Sequence, residues 1–215
     1  MLPFKYLEIS NHKSISEKLK NFILNDLYLN LNKIGNIEFS FIKTRENQKR
    51  YDIHKHINFW NFLSFNNVIE LVPELITSLN KIDVFPTNFN LVVINKGYGV
   101  LHTDGGSKTN KHRINWPIYN CDENSRTYFY KLKNLNETVD DGYFVPISEK
   151  NSDFFYKTKI YGTSNIEHEL GYYVLTQPVL FDYTIPHELV HINDEEVKYP
   201  RIILSIDFLS TCTNG

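Results

Sequence analysis

The chain has 215 residues, and its 23 basic and 25 acidic side chains give a formal charge of -2, which argues against nucleic-acid binding through a broad basic surface. Hydrophobic residues make up 41% and aromatics 14%, with 14 Tyr and 15 Phe, enough to build a sizeable core. Two cysteines, Cys121 and Cys212, exclude a disulfide framework and point to a reducing compartment. The N-terminal MLPFKYLEIS lacks a signal-peptide core and no apolar run reaches about 18 residues, so a cytoplasmic protein with no membrane partner is expected.

Taken in order, residues 4–9 alternate loosely and start a strand. Ser14 and Glu17 have capping-box spacing, and Leu19, Phe22, Ile23 and Leu27 follow at helical intervals, predicting a helix over about 15–30. Residues 37–43 alternate as a strand, whereas 44–66 show no clear period. Leu71, Leu75, Ile76 and Leu79 predict a second helix with Pro73 in its first turn.

From Asn88 onward, short β-branched or aromatic runs succeed one another at 88–95, 99–102, 113–120, 126–132, 172–175, 178–183, 187–192 and 200–209. Glycines, the turn at 122–125 and Pro178 punctuate them. Such spacing predicts a mainly β sandwich or jelly roll with helices packed outside one sheet, not βαβ units. The expected organisation is one domain over 1–215, with a helical or mixed support at 1–87 and a β core at 88–209. Within that core, 133–171 reads as a long polar insertion whose aromatics (Tyr143, Phe144, Phe154, Phe155, Tyr156) suit a lid or binding loop.

The chemistry gathers around His102-Thr103-Asp104, which ends an apolar strand and is followed by Gly105-Gly106. Alternate strand residues share a face, so His102 and Asp104 can address one ion. Imidazole with carboxylate suits non-haem Fe(II). The tripeptide alone is weak, since roughly 0.4 are expected by chance in this composition, and a solvated surface turn is the bland alternative. Further on, residues 178–209 contain a strand to Asp182, a turn delivering Pro186-His187, an acidic loop, and Arg201 opening the final strand IILSIDF.

A His-x-Asp after a core strand, a distal His and an Arg on the last strand resemble the Fe(II)/2-oxoglutarate-dependent dioxygenase superfamily. The likeness is greatest to small prolyl- and aspartyl-hydroxylase-like members of bacteria and phages, and it covers roughly 88–209. The resemblance implies a double-stranded β-helix (cupin-like jelly roll) with His102, Asp104 and His187 as the catalytic iron ligands. It also implies that Arg201 pairs with the distal carboxylate of 2-oxoglutarate, which is consumed with O2 to give succinate and CO2 as a substrate is hydroxylated. A guanidinium fork suits a carboxylate, and three protein ligands leave three positions of an octahedral ion open. Ser205 shares the strand face of Arg201 and Ile203 and offers a further donor, and Asn115 is another cosubstrate candidate. His191, 10 residues before Arg201, rivals His187, 14 residues before it, as third ligand.

His187-Glu188-Leu189-Val190-His191 also matches H-E-x-x-H, the zinc metallopeptidase signature, expected only about 0.02 times by chance here. That mechanism needs both imidazoles on one helix face, with Glu188 as general base. Pro186 before the motif and strand-favouring neighbours (Thr184, Ile185, Val190, Ile192) argue against a helix, and no Glu follows Glu196 as a downstream ligand. A third reading is a jelly-roll protein that holds a metal or small acid without catalysis. The remaining features have ordinary readings. Arg201 suits a surface ion pair with Asp194 to Glu196, and His54 and His56 read as exposed. Trp116, Tyr119, Tyr128 and Tyr130 line or back the barrel mouth, with half of them, on the outward faces, as plain sheet packing; Trp60 and Phe62 are core or substrate wall, and the cysteines are structural. The substrate, small molecule or peptide, is not encoded in any recognisable motif.

Overall fold

A computed structural model describes residues 2–27, 40–41, 55–58, 65–94, 101–104, 106–107, 110–139, 155–156 and 159–210. The N-terminal part supplies β1 (Phe4–Tyr6), α1 (His12–Phe22) with a π-helical turn at Ile23–Leu27, β2 (Ser40–Phe41), β3 (Lys55–Asn58), α2 (Phe65–Leu71) and α3 (Pro73–Asn80). Then come β4 (Val84–Ile94), β5 (His102–Thr103), β6 (Gly106–Ser107), β7 (His112–Tyr119), β8 (Ser125–Leu132) and β9 (Phe155–Tyr156). The chain continues through β10 (Lys159–Ile160), β11 (Ile166–Val174), β12 (Val179–Asp182), β13 (His187–His191) and β14 (Arg201–Ser210).

Among the described residues the strands form a seven-stranded sheet, β1-β12-β7-β14-β4-β3-β2, and a five-stranded sheet, β10-β5-β13-β8-β11, with a separate β6-β9 ribbon. All the pairings are antiparallel. The fold is therefore mainly β with flanking helices, as the strand spacing predicts. Among the described residues, no helix is long and apolar enough to cross a membrane.

Period-two alternation gives the larger sheet two different faces. Ile202, Leu204 and Ile206 of β14, Ile114 and Trp116 of β7, and Phe89 and Leu91 of β4 form one apolar side. Ile15 and Leu19 of α1, Val68 of α2, and Leu75 and Leu79 of α3 cover it, so the helices do pack outside one sheet. The alternate residue Ile203 turns the other way, joining Phe129, Tyr173 and Phe181 between the sheets. Ser16 fastens α1 to that sheet: its hydroxyl donates to the Pro117 carbonyl at 2.6 Å and accepts from the Trp116 indole at 3.0 Å.

Several expectations change. The first helix starts at His12, with Asn11 rather than Ser14 at its N-cap, and Glu17 pairs with Lys20 at 2.8 Å instead of closing a capping box. A π turn follows Phe22, and residues 28–30 lie outside the described residues. Leu71 belongs to a separate helix: Val72, at φ -138° and ψ 64°, leaves the helical region because Pro73 crowds the residue before it. Pro73 then opens α3, as its position predicts. Of the strand expected over 37–43, only Ser40–Phe41 is described.

The insertion is shorter than predicted, because β11 begins at Ile166 and pairs with β8. Its first part, 166–171, is exposed or half-buried and carries register shifts after Ile166 and after Glu169, so it lacks a clean period. Tyr143, Phe144 and Phe154 lie outside the described residues. So do His54, Trp60, Phe62 and Cys212.

Ser16→Ala should leave the buried indole N–H and Pro117 carbonyl unpaired and cost about 1–3 kcal/mol of stability, measured by urea unfolding. A loss below about 0.5 kcal/mol would mean that this bridge does not hold α1 to the sheet.

Candidate metal centre

The site begins with one register. β13 lies against both β5 and β8, and His187 stands directly opposite His102 on β5. Their rings are 4.5 Å apart between centroids. Asp104 follows two residues after His102, and its backbone N–H donates to the Tyr183 carbonyl at 3.0 Å. This anchors the carboxylate beside the two imidazoles. One ligand atom from each of His102, Asp104 and His187 lies within 4.8 Å of the others.

The protonation states suit a cation. His187 is 5% exposed, and burial and the neighbouring His102 push its pKa down to about 4, so the ring is neutral near pH 7. Its Nδ1 hydrogen bonds to the Ile185 carbonyl at 2.8 Å, which assigns the proton to Nδ1 and leaves the Nε2 lone pair facing the cluster. Phe129 and Phe181 pack on this ring, each 5.5 Å away between centroids. Burial works to raise the Asp104 pKa, but the Arg113 charge and His102 outweigh it and hold the carboxyl well below the usual range. Two imidazole nitrogens and an ionised carboxylate form a donor set that can hold a divalent transition metal.

His191 is not part of this cluster. Four residues along the strand from His187, it lies about 13 Å away. Its Nδ1 meets Ser125 Oγ at 2.8 Å and its Nε2 meets Tyr199 Oη at 3.0 Å, so both ring nitrogens are engaged. The metallopeptidase reading fails on the same geometry: the H-E-L-V-H segment is a strand, so its histidines do not converge as they would on a helix. Glu188, buried at 2% exposure, accepts from Tyr130 Oη at 2.8 Å.

Arg201 is 2% exposed, too buried for the surface ion pair with the acidic loop. Among the described residues its Nε has no hydrogen-bond partner. Ser205 lies on the same face of β14 and pairs across with Asn115 of β7 on one side and Asn90 of β4 on the other. Asn115 Nδ2 donates to Tyr173 Oη at 3.0 Å. Burial raises the Tyr173 pKa, and that phenol feels the charges of both Arg201 and Asp104. A polar patch inside the sandwich therefore links the Arg201 region to the His/Asp cluster.

Three residues of this site escape the sequence reading: Arg113, Asp207 and Tyr173. Arg113 Nη1 donates to Asp104 Oδ2 at 3.0 Å, and its Nε donates to Asp207 Oδ1 at 2.8 Å. Arg113 is two positions before Asn115, so alternation signals that they share a face. The same alternation puts Asp207 on the face of Ser205, two positions before it, whereas nothing local marks Tyr173.

The four aromatics expected at the barrel mouth do not line this space. Trp116 and Tyr119 pack with the helix-side core, whereas Tyr128 and Tyr130 stack 6.3 Å apart on the outer face of the smaller sheet. Cys121 is half-buried, and burial pushes its thiol up, as suits a structural cysteine.

No family model matches this sequence, and no curated protein matches it. Among solved structures, the crystal structure of AviO1 from Streptomyces viridochromogenes Tue57 is similar over 100% of this chain and 92% of its own, at 10% identity and a TM-score of 0.41.

His102→Ala, Asp104→Ala and His187→Ala should each weaken Co(II) binding by more than about 100-fold, beyond the 10–100-fold usual for residues behind the ligands. His191→Ala should leave it within about threefold. Calorimetric titration of metal-free protein checks both, and a loss confined to His191→Ala would contradict the ligand set.

Proposed function

We propose that the chain is an Fe(II)- and 2-oxoglutarate-dependent oxygenase on a jelly-roll core, hydroxylating a small-molecule or peptidyl substrate. The observation that carries this reading is the pairing of a His/Asp/His cluster with a buried arginine whose Nε lacks an acceptor among the described residues, in a common polar interior. The strand orders β12-β7-β14-β4 and β5-β13-β8-β11 support the jelly roll, since consecutive strands largely alternate between the two sheets.

His102, Asp104 and His187 would hold the iron. Bound iron supplies the oxidative chemistry, in which 2-oxoglutarate and O2 give succinate and CO2 while the substrate C–H becomes C–OH. Arg201 would bind the distal carboxylate of the oxo acid bidentately, with Ser205 adding a hydroxyl donor. Asn115 and Tyr173 hold each other at 3.0 Å and keep polar groups directed at that cosubstrate region. Phe129 and Phe181 keep water from the back of His187 and fix its ring.

Loss of a charge-assisted contact of about 1.5–3 kcal/mol predicts that Arg201→Ala weakens 2-oxoglutarate binding about 10–100-fold. Metal affinity should stay unchanged, and calorimetry on metal-loaded protein reads both. Unchanged oxo-acid affinity would remove Arg201 from the cosubstrate site. In air, the iron-loaded protein should form succinate from 2-oxoglutarate, and Asp104→Ala should not. Binding of both ligands without any succinate would favour a non-catalytic metal- and acid-binding protein.

A further inference from the structure

We infer that Arg113, braced by Asp207, is a positioning residue that confines Asp104 to one ligand oxygen. It thereby keeps the remaining positions of the ion open for the oxo acid and dioxygen. The inference rests on the iron and 2-oxoglutarate reading of the site.

The two oxygens of Asp104 have different surroundings. Oδ1 lies 3.2 Å from His102 Nε2, whereas Oδ2, 3.8 Å from His187 Nε2, accepts from Arg113 Nη1 at 3.0 Å, so one of its lone pairs is already committed. The guanidinium that holds Oδ2 is itself held. Its Nε donates to Asp207 Oδ1 at 2.8 Å, and its Cζ lies 5.0 Å from the Tyr183 ring centroid. Asp207 Oδ2 accepts in turn from Asn90 Nδ2 at 3.3 Å and Asn88 Nδ2 at 3.4 Å. Tyr183 also takes the Asp104 backbone N–H at 3.0 Å, so main chain and side chain of Asp104 are both referenced to one residue.

This arrangement spans three neighbouring strands. Asp207 of β14 pairs with Asn88 of β4, and β14 pairs on its other side with β7, which carries Arg113. With side-chain exposures of 13% for Arg113 and 24% for Asp104, the contact is shielded more than an ordinary surface pair. Asp207 balances the Arg113 charge, leaving the charge of Asp104 to face a cation.

The consequence concerns coordination number. A carboxylate with both oxygens available binds a cation through one or both of them. Two imidazoles and one oxygen leave three positions of a six-coordinate ion, two for the oxo acid and one for dioxygen. A second Asp104 oxygen would occupy one of these. Arg113 prevents this by holding Oδ2 in a directional hydrogen bond.

The test uses metal-free full-length protein under argon, with Co(II) as the probe and its visible bands as the reporter. In Arg113→Met, Co(II) should still bind, but its bands should change as Asp104 supplies both oxygens. The affinity of the Co(II)-loaded protein for 2-oxoglutarate should fall about 10–100-fold. Arg113→Lys, which restores the charge but not the planar fork, should show the same changes to a smaller extent, and it decides the matter if the methionine variant does not fold. Wild-type bands and wild-type oxo-acid affinity in the folded variants would overturn the inference and leave the metal site intact. Wild-type protein that binds no Co(II), or binds it undisturbed by His102→Ala, would overturn both.

Discussion

The His102–His187 cross-strand pair is the constraint on which the candidate site depends. β13 meets β5 at this one register position, and there two imidazoles from opposite ends of the core come together. A slip of one residue would turn His187 to the outer face and bring Glu188 inward. Pairing of β13 with β8 along its whole length, from His187 opposite Phe129 to His191 opposite Ser125, guards against that slip. The wide sheet contact therefore sets the geometry of a site that its own two short strands could not hold.

The same alternation divides β14 between the helix-side core and the proposed cosubstrate site. Ile202, Leu204 and Ile206 build the helix-side core, while Arg201 and Ser205 face the interior between the sheets. Burying a guanidinium without a full set of acceptors costs several kcal/mol. Neutral Tyr173 and Cys121 near Arg201 feel its charge but do not cancel it. An anionic ligand would, as the proposed carboxylate cosubstrate requires. Arg113 is in the opposite situation, with Asp104 and Asp207 both within ion-pair distance.

Much of the architecture is legible in the sequence because the larger sheet is covered on both faces and its strands are rich in β-branched and aromatic residues. β11 is not legible over its first half, since an exposed edge strand interrupted by register shifts carries no buried period. His102, Asp104 and Arg201 can be picked out from residue type and order. The choice between His187 and His191 cannot, because both point to the same face of a strand and only the position of β5 distinguishes them. Alternation places Arg113 and Asp207 on the faces of Asn115 and Ser205, but their ion pairs, like the place of Tyr173, depend on pairings between residues far apart in the chain, which local patterns do not encode.

The most direct test of an iron site at His102, Asp104 and His187 is an anaerobic titration of metal-free protein with Fe(II) and 2-oxoglutarate, followed by visible absorption. A weak charge-transfer band that needs both components should develop at one equivalent of iron, be absent from His187→Ala and be retained in His191→Ala. No band in the wild-type protein, or a band that survives loss of His187, would contradict the assignment of this cluster as an iron site that chelates an oxo acid.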